Sequence, residues 1–149
     1  MELEELNFKN IGVSGVNDTE TILFANEEFY RAFDDQDSKS MDRVWSQKFS
    51  VCCVHPGWGP IFVRTEIIKS WLAIMTNPES PKIRCLDPKA EIYGDIGVVV
   101  CFEELSNNFL IATNIFHREG SFWKMIHHQA GPTTASPRVV TARKNTPIH

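Results

Sequence analysis

Val51-Cys52-Cys53-Val54-His55-Pro56-Gly57-Trp58-Gly59-Pro60-Ile61-Phe62-Val63-Arg64 reads as a strand, a rigid aromatic turn, and a short strand leading into a helix. Pro56 and Pro60 each fix φ and lack a backbone donor, so the turn cannot pair as an interior strand. Pro56 also pushes His55 toward the extended conformation of a strand's last residue. Gly57 and Gly59 flank Trp58 and permit positive φ on either side, so the indole can be aimed where an ordinary turn could not aim it. His55 has the side-chain type whose unperturbed pKa lies near neutrality, which makes it the residue of this turn best suited to move a proton. Two readings follow. Either Trp58 plugs one end of a hydrophobic core while His55 donates to a carbonyl, or both residues line a pocket.

Upstream of the turn, Asp18 or Thr19 is expected to cap a helix over residues 18 to 33. Ile22, Leu23, Ala25, Asn26, Phe29, Tyr30 and Phe33 form its broad inward stripe at helical spacing. Asp34-Asp35-Gln36-Asp37 breaks the pattern, and Ser38 is expected to cap a short second helix whose apolar face is Met41, Val44 and Trp45. A strand over 49–55 and another over 61–64 enclose the turn. Thr65 then caps a third helix over 65–76, buried through Ile67, Ile68, Trp71, Leu72 and Met75 and stopped by Pro78 and Pro81.

Beyond Lys82 the period changes. Residues 83–93, 97–105, 109–117 and 122–129 are β-rich runs separated by Gly94-Asp95, Ser106-Asn107-Asn108 and Glu119-Gly120, connections short enough to imply antiparallel hairpins. Residues 1–17 read as a partly disordered leader and 132–149, rich in Pro, Thr, Ser and Arg, as a flexible tail. Helices first and a curled antiparallel sheet afterwards mean α+β, with three helices covering one face of the sheet. The other face, if apolar, is expected to meet a second copy as an isologous dimer.

The 149 residues fit one domain, and 42% hydrophobic with 23% charged residues is the balance of a soluble globular protein. A net charge of −4 without a basic stripe argues against nucleic acid. No apolar run approaches the roughly 18 residues that span a membrane. The acidic start Met-Glu-Leu-Glu-Glu lacks a signal peptide's positive and apolar regions, which points to the cytoplasm. Cys52, Cys53, Cys85 and Cys101 form no CxxC pair and read as reduced, mostly buried residues.

Four segments carry a resemblance: Ala25-Asn26-x-x-Phe29-Tyr30-x-Ala32-Phe33-x-x-x-Asp37, Met41-x-x-Val44-Trp45, Val54-His55-Pro56-Gly57-Trp58, and Gly120-Ser121-Phe122-Trp123-Lys124-Met125-Ile126-His127-His128. With the helix over 65–76 they cover about residues 19 to 131. The chain resembles the SnoaL-like group of the nuclear transport factor 2-like (ketosteroid isomerase-like) superfamily. The resemblance implies a domain over 18–131 folded as a cone-shaped α+β barrel of the cystatin-like kind. In such a barrel a curved sheet wraps a long helix around an apolar pocket, and dimers commonly form through the sheet. It does not imply one activity, since such proteins include isomerases, dehydratases, cyclases and non-enzymatic binding modules. The Asp–Tyr–Asp arrangement of ketosteroid isomerases has no counterpart that the sequence places.

A pocket in this fold would be lined by Tyr30, Phe33, Met41, Trp45, His55 and Trp58, with Asn114 and one of His127 and His128 from the sheet. His127 and His128 point to opposite faces of their strand, so only one can enter it. Asn114 stands out because a buried amide in an apolar run must be satisfied or must touch a ligand. His55 or Asp37 would act as general base, and Tyr30 or Asn114 would polarise an oxygen. No acidic residue completes a metal site with His55 and the strand histidines at familiar spacing, so neither metal nor cofactor is expected. The expected function is binding of a small, largely apolar molecule, with isomerase, lyase or cyclase chemistry as its catalytic form. The alternative is a non-catalytic dimeric association module whose pocket is filled by its own side chains.

Overall fold

Asn17, rather than Asp18 or Thr19, caps the first helix. Its extended backbone leaves the side-chain oxygen free to accept from Glu20 N at 2.8 Å. Asp18 is thereby released to pair with Arg118 through both carboxylate oxygens, at 2.9 and 2.8 Å. The computed structural model describes residues 17–137. Helix α1, Asp18–Asp34, buries Ile22, Asn26, Phe29, Tyr30, Ala32 and Phe33 on the face that crosses the sheet. Helix α2, Ser38–Val44, is capped by Asp37 and not by Ser38, because the Asp37 carboxylate accepts from Ser40 N at 3.1 Å. Trp45 follows α2 in extended conformation and lies fully in the core with Met41.

The turn segment holds less regular structure than its pattern suggests. Strand β1 is Cys52–Val54 alone, and Ile61 makes a single bridge back to Cys53, with N–H···O distances of 2.9 and 2.8 Å, in place of a second strand. Between them Trp58 N donates to His55 O at 2.9 Å, and of the two glycines only Gly57 takes positive φ, at +82°. Helix α3, Arg64–Thr76, begins one residue before Thr65 and has no side-chain cap. Arg64 is held there by its guanidinium, which donates to Ser46 O, Trp45 O, Asp42 O and Asp42 Oδ1.

Strands β2 (Arg84–Tyr93), β3 (Ile96–Glu104), β4 (Phe109–Glu119) and β5 (Phe122–Thr133) form the expected antiparallel meander, β5 running two residues past position 131. The complete order is β1-β5-β4-β3-β2, and β1 pairs parallel to β5, with Cys52 opposite His127 and Cys53 opposite His128. The sheet is therefore mixed, not purely antiparallel. The reason is where the chain leaves α2: Trp45 bridges Met125 in parallel sense and Ser46 N donates to Met125 O at 2.9 Å, so the following residues travel alongside β5 in its own direction. Alternation along β3 sends Gly97, Val99, Cys101 and Glu103 inward, and along β4 it sends Leu110, Ala112, Asn114 and Phe116 inward.

Gly97 lets α1 sit close to the sheet. A Cβ at this position would collide with Ile22 Cδ1 and lie 3.2 Å from Ile92 Cδ1, and Ile22 is wholly buried. Gly97→Ala is expected to lower unfolding free energy by about 1–3 kcal/mol through overpacking. Gly131→Ala, which meets nothing within 4 Å, is expected to change it by less than about 1 kcal/mol. Urea unfolding of both variants checks this.

Candidate active site in the cone

Inside the cone a chain of buried polar side chains links α1 to the sheet. Tyr30 O–H donates to Glu103 Oε2 at 2.6 Å, and Asn114 Nδ2 donates to Tyr30 Oη at 3.1 Å and to Asn26 Oδ1 at 2.8 Å. The Asn114 amide oxygen can only accept, so its 2.6 Å contact with His128 Nδ1 places the proton of neutral His128 on Nδ1 and leaves Nε2 with a lone pair. Tyr30, Glu103, Asn114, Asn26 and His128 are all under 10% exposed. His55 closes the group from the turn. Its Nε2 lies 2.7 Å from Ser70 Oγ, and Ser70 uses its own proton on Ile67 O, so His55 Nε2–H donates to Ser70 and Nδ1 carries the lone pair. The Trp71 indole packs edge-on against both imidazoles, with ring centres 4.5 Å from His55 and 5.2 Å from His128.

These groups surround a cavity of about 70 Å³ bounded by Phe29, Tyr30, His55, Trp71, Glu103 and His128. Burial sets their protonation. Desolvation pushes Glu103 from the usual 4.5 up to about 7, with the Tyr30 hydrogen bond only partly offsetting it. Desolvation also takes His55 down to about 4 and His128 to about 3, so both imidazoles are neutral at pH 7. Tyr30 is raised well above 10, first by burial and then by the Glu103 charge, and keeps its proton. Glu103 is thus the member of the group that exchanges a proton near neutrality.

Of the residues expected to form the site, Tyr30, His55, Asn114 and His128 come together, and Phe33 lies on the cavity wall. Trp58 is half exposed and stands edge-on over His55 at 4.7 Å, outside the cavity. Met41 and Trp45 are buried but do not line it, Trp45 being held by its bridge to Met125 on β5. Asp37 is fully occupied as a helix cap: hydrogen bonds from Ser40 hold its carboxyl below the ordinary range on the surface, so it is no general base here. His127 is half-buried on the outer side of the sheet, opposite Cys52. Sequence reasoning missed Glu103, Asn26 and Ser70. The signal for Glu103 was present in its parity with Val99 and Cys101, which puts a carboxylate on the inward side of β3.

A SnoaL-like domain matches residues 22–134, spanning the helices and all five strands but for the first turn of α1. The chain belongs to the SnoaL-like domain family. Solved structures agree with this assignment. A proposed dehydratase of the NTF2-like family from Streptomyces avermitilis is 30% identical at a TM-score of 0.71, covering 79% of this chain and 97% of that one. An NTF2-like protein from Cytophaga hutchinsonii is 15% identical at a TM-score of 0.64, covering 79% of this chain and 100% of that one. A CaMKII hub from S. rosetta is 15% identical at a TM-score of 0.65, covering 79% and 98%. The last two show the fold alone, which is the cystatin-like α+β architecture also found in a Nostoc punctiforme protein. A search of curated proteins finds no match to this SnoaL-like chain.

The raised Glu103 pKa has a consequence for stability. Between pH 4.5 and about 7 the folded carboxyl holds its proton while the unfolded one releases it, so this group's contribution becomes less favourable as pH rises through that window. The two histidines act in the opposite direction, but they are common to the wild type and to Glu103→Gln. Relative to wild type, Glu103→Gln is expected to gain on the order of 3 kcal/mol of stability between pH 4.5 and 8, since each tenfold change in proton affinity is worth about 1.4 kcal/mol. Denaturant unfolding of both proteins at several pH values measures the difference.

Proposed function

We propose that the cone binds a small, largely apolar molecule bearing one oxygen function and moves a proton on it. The observation carrying this reading is the buried Tyr30–Glu103 pair on the wall of a cavity shared with two neutral histidines. A carboxyl with a pKa near 7 is matched to proton abstraction from carbon beside a carbonyl, and as Glu103 takes that proton the neutral phenol 2.6 Å away would turn its own O–H from the carboxylate to the oxygen on which charge develops. Asn114, behind the phenol, holds Tyr30 in position. Glu103 takes the role expected of Asp37 or His55, and the reaction class is isomerisation or loss of water. The Streptomyces avermitilis relative, itself a proposed dehydratase, supports the lyase form. A cavity of about 70 Å³ equals roughly two waters' share of liquid volume, so a larger molecule must move part of its wall, which includes His55 and Pro56 of the turn.

Exchange of the C3 protons of butanone in D₂O, followed by proton NMR, tests this reading directly. Wild-type protein is expected to accelerate exchange, with a rate that rises through pH 7. Glu103→Gln should lose about 100-fold or more, the ordinary worth of a positioned base. Equal rates with wild type, with Glu103→Gln and without protein would defeat it.

The small cavity also supports a second reading, a dimeric association module, in which the polar chain orders the core and the surface carries the function. Pairing places Val98 beside Ile115, Val100 beside Thr113 and Phe102 beside Ile111 on the outer face of β3 and β4, with Val100 exposed and the others partly so. Both readings include a homodimer through this face. Sedimentation should give a dimer for wild type and a monomer for Val100→Asp with Ile111→Asp. Wild-type monomers at micromolar concentration would remove the dimer. Residence in the cytoplasm is part of the same proposal and fits four unpaired cysteines.

A further inference from the structure

A second concentration of reactive groups lies beside the cone, where β2 meets β3. Cys85 stands opposite Glu103 in the ladder, and Cys101 lies two residues before Glu103 on the same inward side, so the two thiols are diagonal neighbours. The two thiols bias each other's protonation: Cys101 beside it holds the Cys85 thiol below its ordinary range, while Cys85 and burial raise that of Cys101. Asn26 Nδ2 donates to Cys85 Sγ at 3.6 Å, and Tyr30 Oη lies 3.2 Å from Cys101 Sγ. Cys101 is buried, but Cys85 is half-buried and lines a groove of about 1270 Å³ between α1 and β2. Pairing slips from Leu86 to Lys89, where Asp87 adopts φ +53°, so Cys101 has no ladder partner on β2. That bulge supplies the local freedom a diagonal disulfide needs. The remaining thiols differ in kind. Cys53 is buried and pushed up to about 12, and Cys52 faces the other side of the sheet, its thiol also raised.

We propose that Cys85 and Cys101 form a reversible thiol pair, with Cys85 taking the first oxidation from a hydroperoxide in the groove and Cys101 resolving it. In the first step the Cys85 thiolate attacks one peroxide oxygen. An S–O bond forms, the O–O bond breaks, and the departing hydroxide or alkoxide takes up a proton. In the second, the Cys101 sulfur attacks Cys85, an S–S bond forms, the S–O bond breaks, and hydroxide leaves with the Cys101 proton as water. Two thiols lose two electrons and the peroxide gains them; a dithiol reverses the change. The bond draws Cys101 away from Tyr30, and it forms whether or not the cone is catalytic.

Hydrogen peroxide in modest excess, added to the full chain, tests the pair. Free thiols counted after denaturation are expected to fall from four to two and to return to four with dithiothreitol. A non-reducing tryptic map should join residues 85–89 to residues 90–118. Cys101→Ser should lose this link and accumulate a dimedone-trapped sulfenic acid on Cys85. Cys85→Ser, altered at the less buried site, should keep its three thiols at the same dose. A link through Cys52 or between chains, sulfinic acid on Cys85 beside a free Cys101, or four thiols surviving a dose that oxidises glutathione would overturn the proposal.

Discussion

One buried amide joins the two halves of this fold. Asn114, on β4, donates to Asn26 and Tyr30 on α1 and accepts from His128 on β5. A polar group taken from water without partners costs several kcal/mol, and here each partner is itself buried, so the requirement propagates. The helix cannot slide along the sheet or rotate about its axis without breaking at least one of these bonds. Apolar packing against Phe29, Ile22 and Val99 supplies most of the attraction, but it is non-directional and would accept neighbouring arrangements. The amide selects among them.

The same network explains why the cone interior carries so little charge. His55 and His128 each make one proton donor contact, to Ser70 and to Asn114, which suits the neutral ring. Loss of hydration depresses both rings, and His128 is lowered further by the neighbouring His55 and His127. Glu103 is pushed the other way by the same loss of water. Buried titratable groups with opposed shifts around one cavity are the feature on which the proton-transfer proposal rests, and the same groups also fix the helix on the sheet.

Much of the architecture was legible in the sequence, because period and turn chemistry are local. The stripe of α1, the helix through Trp71 and the four long strands follow from spacing, and the Gly94 and Gly120 turns from residue type. The segment around the turn was harder. Val51 to Arg64 has the composition of two strands, yet only Cys52–Val54 pairs as a strand and Ile61 makes a single bridge, a fact fixed by where α2 releases the chain. Within the site, Asn114 and Tyr30 were legible because a polar atom in an apolar run demands a partner. Glu103 was not, since Phe102-Glu103-Glu104 looks like a strand end meeting solvent, and only the inward parity of β3 distinguishes one glutamate from the other. Asp37 misled for the converse reason: an acidic residue at a helix break serves a cap as well as it serves chemistry.

The attachment of β1 bears on how the interior exchanges with its surroundings. Three residue pairs hold β1 to β5, against eleven between β4 and β5, and the chain leaves β1 directly into His55. In the hierarchy of local openings that amide hydrogen exchange resolves, a three-residue edge strand belongs to the low-energy end and the meander to the global end. One wall of the cavity is therefore carried by the part of the sheet that detaches most readily, while Glu103 and Asn114, bonded to Tyr30 on α1, stay fixed in the part that detaches last. A molecule could reach the interior by way of a brief unzipping of this seam, without any deformation of the barrel that holds Tyr30 against Glu103.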